Sequence, residues 1–146
     1  GELWLSTEGG QLLRMRMQPA GRSHQERPGV EVSAISCSSD GQFRAVLYRD
    51  GELHIGQQGV QAMRGSVALC FHPREAQLLA TADPQGLKLW SVGPKGPELI
   101  YRDVVPGLAA LSWSRADSLL VGVTLRGGLR CWSPATPSGP AMILSM

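Results

Sequence analysis

Three histidines, three cysteines, several turn aspartates and a scatter of arginines are the residues whose types could do chemistry. His24, His54 and His72 stand on three separate stretches, and no two share the spacing that puts metal ligands on one element. No metal site is expected. His72 precedes Pro73 at the end of an apolar run, and two similar stretches hold Ser38 and Ser114 there, so it reads as a turn histidine. Cys37, Cys70 and Cys131 have no CxxC spacing and read as free, buried thiols in a reducing, intracellular compartment, cytoplasmic or nuclear. Serines are plentiful, but no GxSxG supplies a nucleophile elbow. No GxGxxG follows a strand, and Gly9-Gly10 and Gly127-Gly128 read as hairpin glycines. Asp40, Asp50, Asp83 and Asp117 sit where turns need a side-chain acceptor. The expectation is no catalytic set and no cofactor.

The arginines give the one candidate contact surface. Arg14, Arg16, Arg22 and Arg27 gather near His24, interleaved with Glu2, Glu8 and Glu26. The plain reading is a solvated strand face and loop. The sharper one is a contact for an acidic partner or an RNA backbone, which the acidic residues weaken. Arg74 and Arg115 belong to turns further along and complete the candidate set.

What positions these residues is a repeat. Residues 66–92 form a three-strand unit. Run 67–71 stops at His72-Pro73, run 78–82 ends at Asp83-Pro84-Gln85-Gly86, and run 87–90 alternates apolar with polar residues. Runs of four to six residues divided by turn chemistry are strands. The unit occurs twice more. Ala34, Ala68 and Ala110 begin matching first-strand motifs, and Leu53, Leu87 and Leu129 begin matching third-strand motifs. Both sets are spaced by 34 and then 42 residues, so length variation falls in the connections, as in a structural repeat. Leu53, Leu87 and Leu129 are therefore expected inside, with His54, Lys88 and Arg130 pointing away.

Composition agrees. Charged residues are 18% and Gly and Pro number 18 and 10, which favours many turns and few long helices. A net charge of +2 is too small to argue for nucleic acid or an anionic membrane. No apolar run approaches the roughly 18–20 residues of a membrane span, so no membrane partner is expected. At the start, residues 1–6 resemble the third strand at 51–55, and residues 11–17, with Leu13, Met15 and Met17 alternating with arginines, read as a fourth, outer strand. Residues 19–29 read as a polar loop. Short fourth strands are expected at 60–63, 98–101 and 141–144.

These motifs resemble the WD-repeat β-propeller family. The likeness rests on the apolar-x-apolar-aromatic-Ser/His start, the Asp-Gly or Gly-Gly turn before the third strand, and Trp90 and Trp132 closing it. The family's Trp-Asp pair is Trp90-Ser91 and Trp132-Ser133 here, and Gly56 stands where the first unit would have Trp, so its hydrogen-bond network is not complete. The resemblance implies an all-β fold, a partial propeller of about three and a half four-stranded antiparallel blades in an open arc. Its divisions are a half blade at 1–18 and blades at 30–64, 66–102 and 106–146. Inner, first strands should be packed between neighbouring blades on both faces, with 67–71 and 108–113 as nearly continuous apolar runs, and Trp90 and Trp132 should fill the wedge between blades. The resemblance also implies a C-terminal piece of a larger scaffold, binding proteins through its turn faces and joined to the remaining blades of the parent chain. One turn face would be 38–42, 74–77 and 115–118, the other 50–51, 83–86 and 126–128. The alternatives are an RNA-binding propeller of a ribonucleoprotein such as a telomerase- or vault-type scaffold, and an enzyme with its site in the channel.

Overall fold

In a computed structural model the chain is described at residues 2–6, 9–16, 23–24, 29–55, 58–60, 65–116, 119–133 and 142–144, with the backbone alone for 2–5, 13–16, 23–24, 58–60 and 142–144. The described residues form fifteen strands and no helix: β1 (Glu2–Ser6), β2 (Leu12–Arg16), β3 (Ser23–His24), β4 (Val32–Cys37), β5 (Arg44–Tyr48), β6 (Leu53–Ile55), β7 (Gln58–Val60), β8 (Ala68–Phe71), β9 (Leu78–Asp83), β10 (Gly86–Gly93), β11 (Gly96–Val104), β12 (Leu108–Trp113), β13 (Leu120–Thr124), β14 (Leu129–Trp132) and β15 (Met142–Leu144). They make four antiparallel sheets in chain order, β1–β3, β4–β7, β8–β11 and β12–β15, each strand paired with its sequence neighbour. The inner strands β4, β8 and β12 follow one another, with β8 in contact with both of the others. This is a partial β-propeller, an open arc of stacked sheets.

The register joins the two motifs of the repeat. Ala34 pairs with Leu47 and Leu47 with Leu53; Ala68 pairs with Ala82 and Ala82 with Leu87; Ala110 pairs with Val123 and Val123 with Leu129. The third sheet has one residue more between its first two strands and one fewer before its third, which leaves the spacing of the motifs unchanged. Leu53 and Leu87 are fully buried. Leu129 holds the same register but is only half-buried, because no described sheet lies beyond it.

Apolar side chains fill the gaps between sheets. Leu47, Leu53 and Ile55 of the second sheet meet Leu69, Phe71, Leu79, Trp90 and Val92 of the third. Leu87 and Leu89 of the third meet Leu108, Leu120 and Trp132 of the fourth. Leu12, Val32, Val46 and Tyr48 join the first sheet to the second. The two tryptophans fill corresponding gaps by different means. Trp90 donates its indole N–H to Thr81 Oγ1 at 2.9 Å, within its own sheet. Gly122 takes the place of Thr81 in the fourth sheet, opposite Arg130 as Thr81 is opposite Lys88. A Cβ on Gly122 would lie 2.8 Å from both Leu108 Cδ1 and the Trp132 ring. Trp132 therefore lies over bare backbone and donates instead to Asp103 Oδ2 of the preceding sheet, at 2.8 Å.

Several expectations are corrected. The first sheet has three strands where two were expected, and Ser23–His24, inside the supposed loop 19–29, is the extra one. The Gly10 carbonyl accepts the Val32 N–H at the entry to β4, as the Gln85 carbonyl accepts the Val105 N–H before β12. The turn at Gly9-Gly10 thus corresponds to a turn between second and third strands, and β1 and β2 are second and third strands rather than third and fourth. Short-range alternation is the same in both positions and could not separate them. Second strands, not first, are the most buried: every residue of β9 is buried, while β12 alternates. A first strand has a partner on one side only, whereas a second strand has both edges paired and both faces covered. Of the fourth strand expected at 60–63, residues 61–63 lie outside the described residues; the described strand is β7 at Gln58–Val60. Cys37 is exposed, at the end of β4, while Cys70 and Cys131 are half-buried; all three thiols are free.

Candidate interaction face

The candidate surface is built on the turns between first and second strands. In the second sheet Asp40 Oδ1 accepts the Ser38 hydroxyl at 2.7 Å and the Gln42 N–H at 3.0 Å. Ser38 Oγ in turn accepts the Phe43 N–H at 2.9 Å. Gly41 sits at φ 72°, where a side chain is strained. The Gln42 N–H and the Ser38 hydroxyl hold the Asp40 carboxyl below the usual carboxylate range.

His72 does the same work in the third sheet. Its Nδ1 accepts the N–H groups of Arg74 and Glu75 at 3.0 and 2.8 Å. A ring nitrogen that accepts two donors carries no proton, so the ring proton is on Nε2. The ring is buried and meets Trp113 edge-on, with centroids 4.7 Å apart. Nε2 has no hydrogen-bonding partner among the described residues. Burial lowers the His72 pKa, with a smaller opposing effect from Glu75. His72 is a turn-building residue, as its position in the repeat predicts.

Side chains tie neighbouring sheets together beside these turns. The Phe71 N–H donates to Ser36 Oγ at 3.0 Å, linking the second and third sheets. The Trp113 indole donates to the Cys70 carbonyl at 3.2 Å, linking the third and fourth. At the surface the Ser39 hydroxyl donates to the Arg74 carbonyl at 3.3 Å, and the Arg74 guanidinium donates to the Ala116 carbonyl at 3.2 Å. The turns of three successive sheets thus form one linked ridge, with Ser39, Arg74 and Arg115 exposed on it. Burial pushes the Cys70 thiol up to about 12, which makes it inert behind the ridge.

On the other face, Asp83 builds the turn between second and third strands. Its carboxylate accepts the Gln85 and Gly86 N–H groups at 2.8 and 3.0 Å and pairs with Lys88 at 3.1 Å. Burial alone would raise its pKa, but the Lys88 ammonium and the two N–H donors outweigh it and hold the carboxyl low. Gly86 is required there: a Cβ would run into the backbone of Asp103 and Val105. Asp50 caps the equivalent turn in the second sheet through the Glu52 N–H at 3.1 Å.

The six candidate arginines are not one cluster. Arg74 and Arg115 share the ridge. Arg14 and Arg16 lie on β2, the third strand of the first sheet, and Arg22 and Arg27 fall outside the described residues, as does Asp117. Sequence reasoning missed Ser36, Ser39 and Trp113 as the residues that join sheets, because nothing local marks a hydrogen bond that crosses from one repeat to the next. Among the described residues no three His, Cys, Asp or Glu side chains are placed to hold a metal ion, and no helix is long and apolar enough to cross a membrane.

Solved structures decide the architecture. A chain in the crystal structure of the mitotic checkpoint complex superimposes with a TM-score of 0.77 over 99% of this chain, at 18% sequence identity. The likeness supports a WD40-like propeller fold. The likeness extends to 299 chains of solved structures in all. This chain spans about half, 48%, of the length of that neighbour. At this identity the likeness shows the fold alone. No family model and no curated protein sequence matches the chain.

Proposed function

We propose that this propeller arc is a non-catalytic protein-interaction scaffold that presents the ridge of turns at 38–42, 74–77 and 115–116 to a partner within a larger intracellular assembly, in the cytoplasm or nucleus. The observation that carries the reading is the Ser39–Arg74–Ala116 chain of hydrogen bonds, which makes three separate turns one preorganised surface. The structural neighbour is a component of a multiprotein complex, which supports a protein-binding use of this fold. Arg74 and Arg115 suit an acidic partner surface.

The test places a photo-crosslinking residue at Gln42, and at Arg126 on the opposite face, in the 146-residue chain. Discrete protein adducts from Gln42, reduced by Arg74→Glu together with Arg115→Glu, are the expected result. Adducts at Arg126 alone would assign binding to the other face. Retention of a homopolymeric RNA that falls steeply with salt and needs the same arginines would favour the ribonucleoprotein reading instead.

A further inference from the structure

The middle turn of the ridge is built on a side chain that can change charge near neutral pH. The strands before the ridge turns are followed by Ser38, His72 and Ser114. Of these only His72 titrates between about pH 5 and 8. Its Nδ1 accepts the Arg74 and Glu75 N–H groups, and the turn closes with the Leu78 N–H on the Glu75 carbonyl at 3.0 Å. Both links along the ridge run through Arg74: its carbonyl accepts the Ser39 hydroxyl, and its guanidinium donates to the Ala116 carbonyl. His72 thus fixes the one residue to which both neighbouring turns are tied. An Nδ1 that gains a proton changes from acceptor to donor, and its N–H would then face two other N–H groups. The ring is 1% exposed, and its Nε2 has no acceptor among the described residues, so a charge there is costly. The charges acting on the ring are Glu75, which favours the proton, and Arg74, which opposes it, both on its own turn. Across the gaps between sheets, Trp113 of β12 packs on the ring and Ser39 meets the turn, and neither is charged.

We propose that His72 is a pH switch of the ridge: a proton on Nδ1 expels the Arg74 and Glu75 N–H groups, frees turn 74–77 and uncouples Arg74 from Ser39 and Ala116, so that the ridge holds its partner at neutral pH and releases it as pH falls. The inference rests on the scaffold reading of the ridge and adds its regulation. One proton comes from solvent, and only hydrogen bonds change. Burial lowers the His72 pKa, so the ring is neutral at pH 7 and takes its proton in the folded chain only below the ordinary 6.5. The turn of the second sheet stays intact over that range, because Ser38 does not titrate and the Asp40 carboxyl is held below the usual carboxylate range. The response is therefore local to the middle turn. Turns 38–42 and 115–116 are linked to each other only through Arg74 in these bonds, so freeing turn 74–77 divides the ridge.

Amide hydrogen exchange and ring-nitrogen chemical shifts in the uniformly labelled 146-residue chain, followed from about pH 7.5 to 4.5, test it. The His72 ring is expected to be neutral at the start, with its proton on Nε2. As it takes up the second proton, protection of the Arg74 and Glu75 amides, corrected for the intrinsic pH dependence of exchange, is expected to fall several-fold with the same midpoint. Protection of Gln42 and Phe43 in the second sheet's turn, and of Leu79 and Ala80 in β9, is expected to hold. His72→Asn keeps an acceptor that does not titrate and is expected to remove the step. Adduct yield from a crosslinker at Gln42 is expected to fall several-fold over the same range in the wild-type chain and not in His72→Asn, a comparison that separates His72 from titrating groups of the partner. Arg74 and Glu75 protection unchanged through protonation of the ring overturns the switch. Loss of β9 protection at the same midpoint overturns it too, because the event is then global unfolding. Should His72→Asn fail to fold, the wild-type amides decide by these two outcomes. Absence of Gln42 adducts at every pH overturns the scaffold reading and the release of a partner, while the amides report on the turn itself, so the two failures are separately visible.

Discussion

Gly122→Ala tests the packing of Leu108 and Trp132 over the fourth sheet at a single atom. The added methyl would lie 2.8 Å from Leu108 Cδ1 and 2.8 Å from the Trp132 ring, and something must move. Leu108 is buried, and Trp132 is held by its bond to Asp103, so neither shifts freely. Overpacking of this kind costs about 1–3 kcal/mol. The backbone of Gly122 is not in the left-handed region, so the substitution also recovers about 0.4–1 kcal/mol from the unfolded state. The net expectation is a loss of about 1–2 kcal/mol, read as a fall in Tm of roughly 3–7 °C for a chain of this size. Gly93→Ala is the matched control, because a Cβ there meets nothing within 4 Å, and it should be neutral or slightly stabilising. Thermal unfolding followed by tryptophan fluorescence and circular dichroism reads both. If Gly122→Ala is as stable as Gly93→Ala, Trp132 does not lie over this strand and the described packing of Leu108 and Trp132 on the fourth sheet is wrong.

Three further outcomes follow from the same packing. Trp90→Ala should cost about 3–5 kcal/mol by leaving a cavity between the second and third sheets, measured by urea unfolding; Trp90→Phe should cost less, since only the bond to Thr81 and part of the ring are lost. The folded-state pKa of His72 lies below its ordinary 6.5, so its neutral ring supports stability above that pH, and the support is lost as pH falls from 6.5 through the folded value. His72→Asn keeps an acceptor for the Arg74 and Glu75 N–H groups and should flatten the stability profile below pH 6.5; an unchanged profile would show that His72 is not buried neutral. Thiol labelling under native conditions should reach exposed Cys37 first and Cys70, pushed up to about 12, last; equal rates for the two would contradict the burial of β8.

The repeat was legible because its parts are chemically local. Asp40, Asp50 and Asp83 mark turns through their own backbone bonds, and the Ala34, Ala68 and Ala110 row meets the Leu53, Leu87 and Leu129 row in one register. Position within the sheet was not legible. Nothing within residues 2–16 separates a second and third strand from a third and fourth; the contact between Gly10 and Val32 does, and it is tertiary. Burial misled in the same way. Cys37 stands in an apolar context, yet it ends its strand at the surface, and the continuous burial of β9 reflects neighbours on both edges rather than its own composition. The candidate face was half legible. Arg74 and Arg115 were placed on one side of the arc by the repeat, but the bond from Arg74 to Ala116 depends on how two sheets stack.

Stacking of successive sheets is the central claim, and the tryptophan indoles report on it directly. Nuclear Overhauser contacts from each indole N–H, in uniformly labelled protein, would locate its neighbours. The Trp113 indole is predicted to lie against Cys70 and the Trp132 indole against Asp103, both across a gap between sheets, with the Trp90 indole against Thr81 inside its own sheet. All three should exchange slowly with solvent. Contacts for Trp113 and Trp132 confined to their own sheet, with fast exchange, would show that the sheets do not stack as an arc.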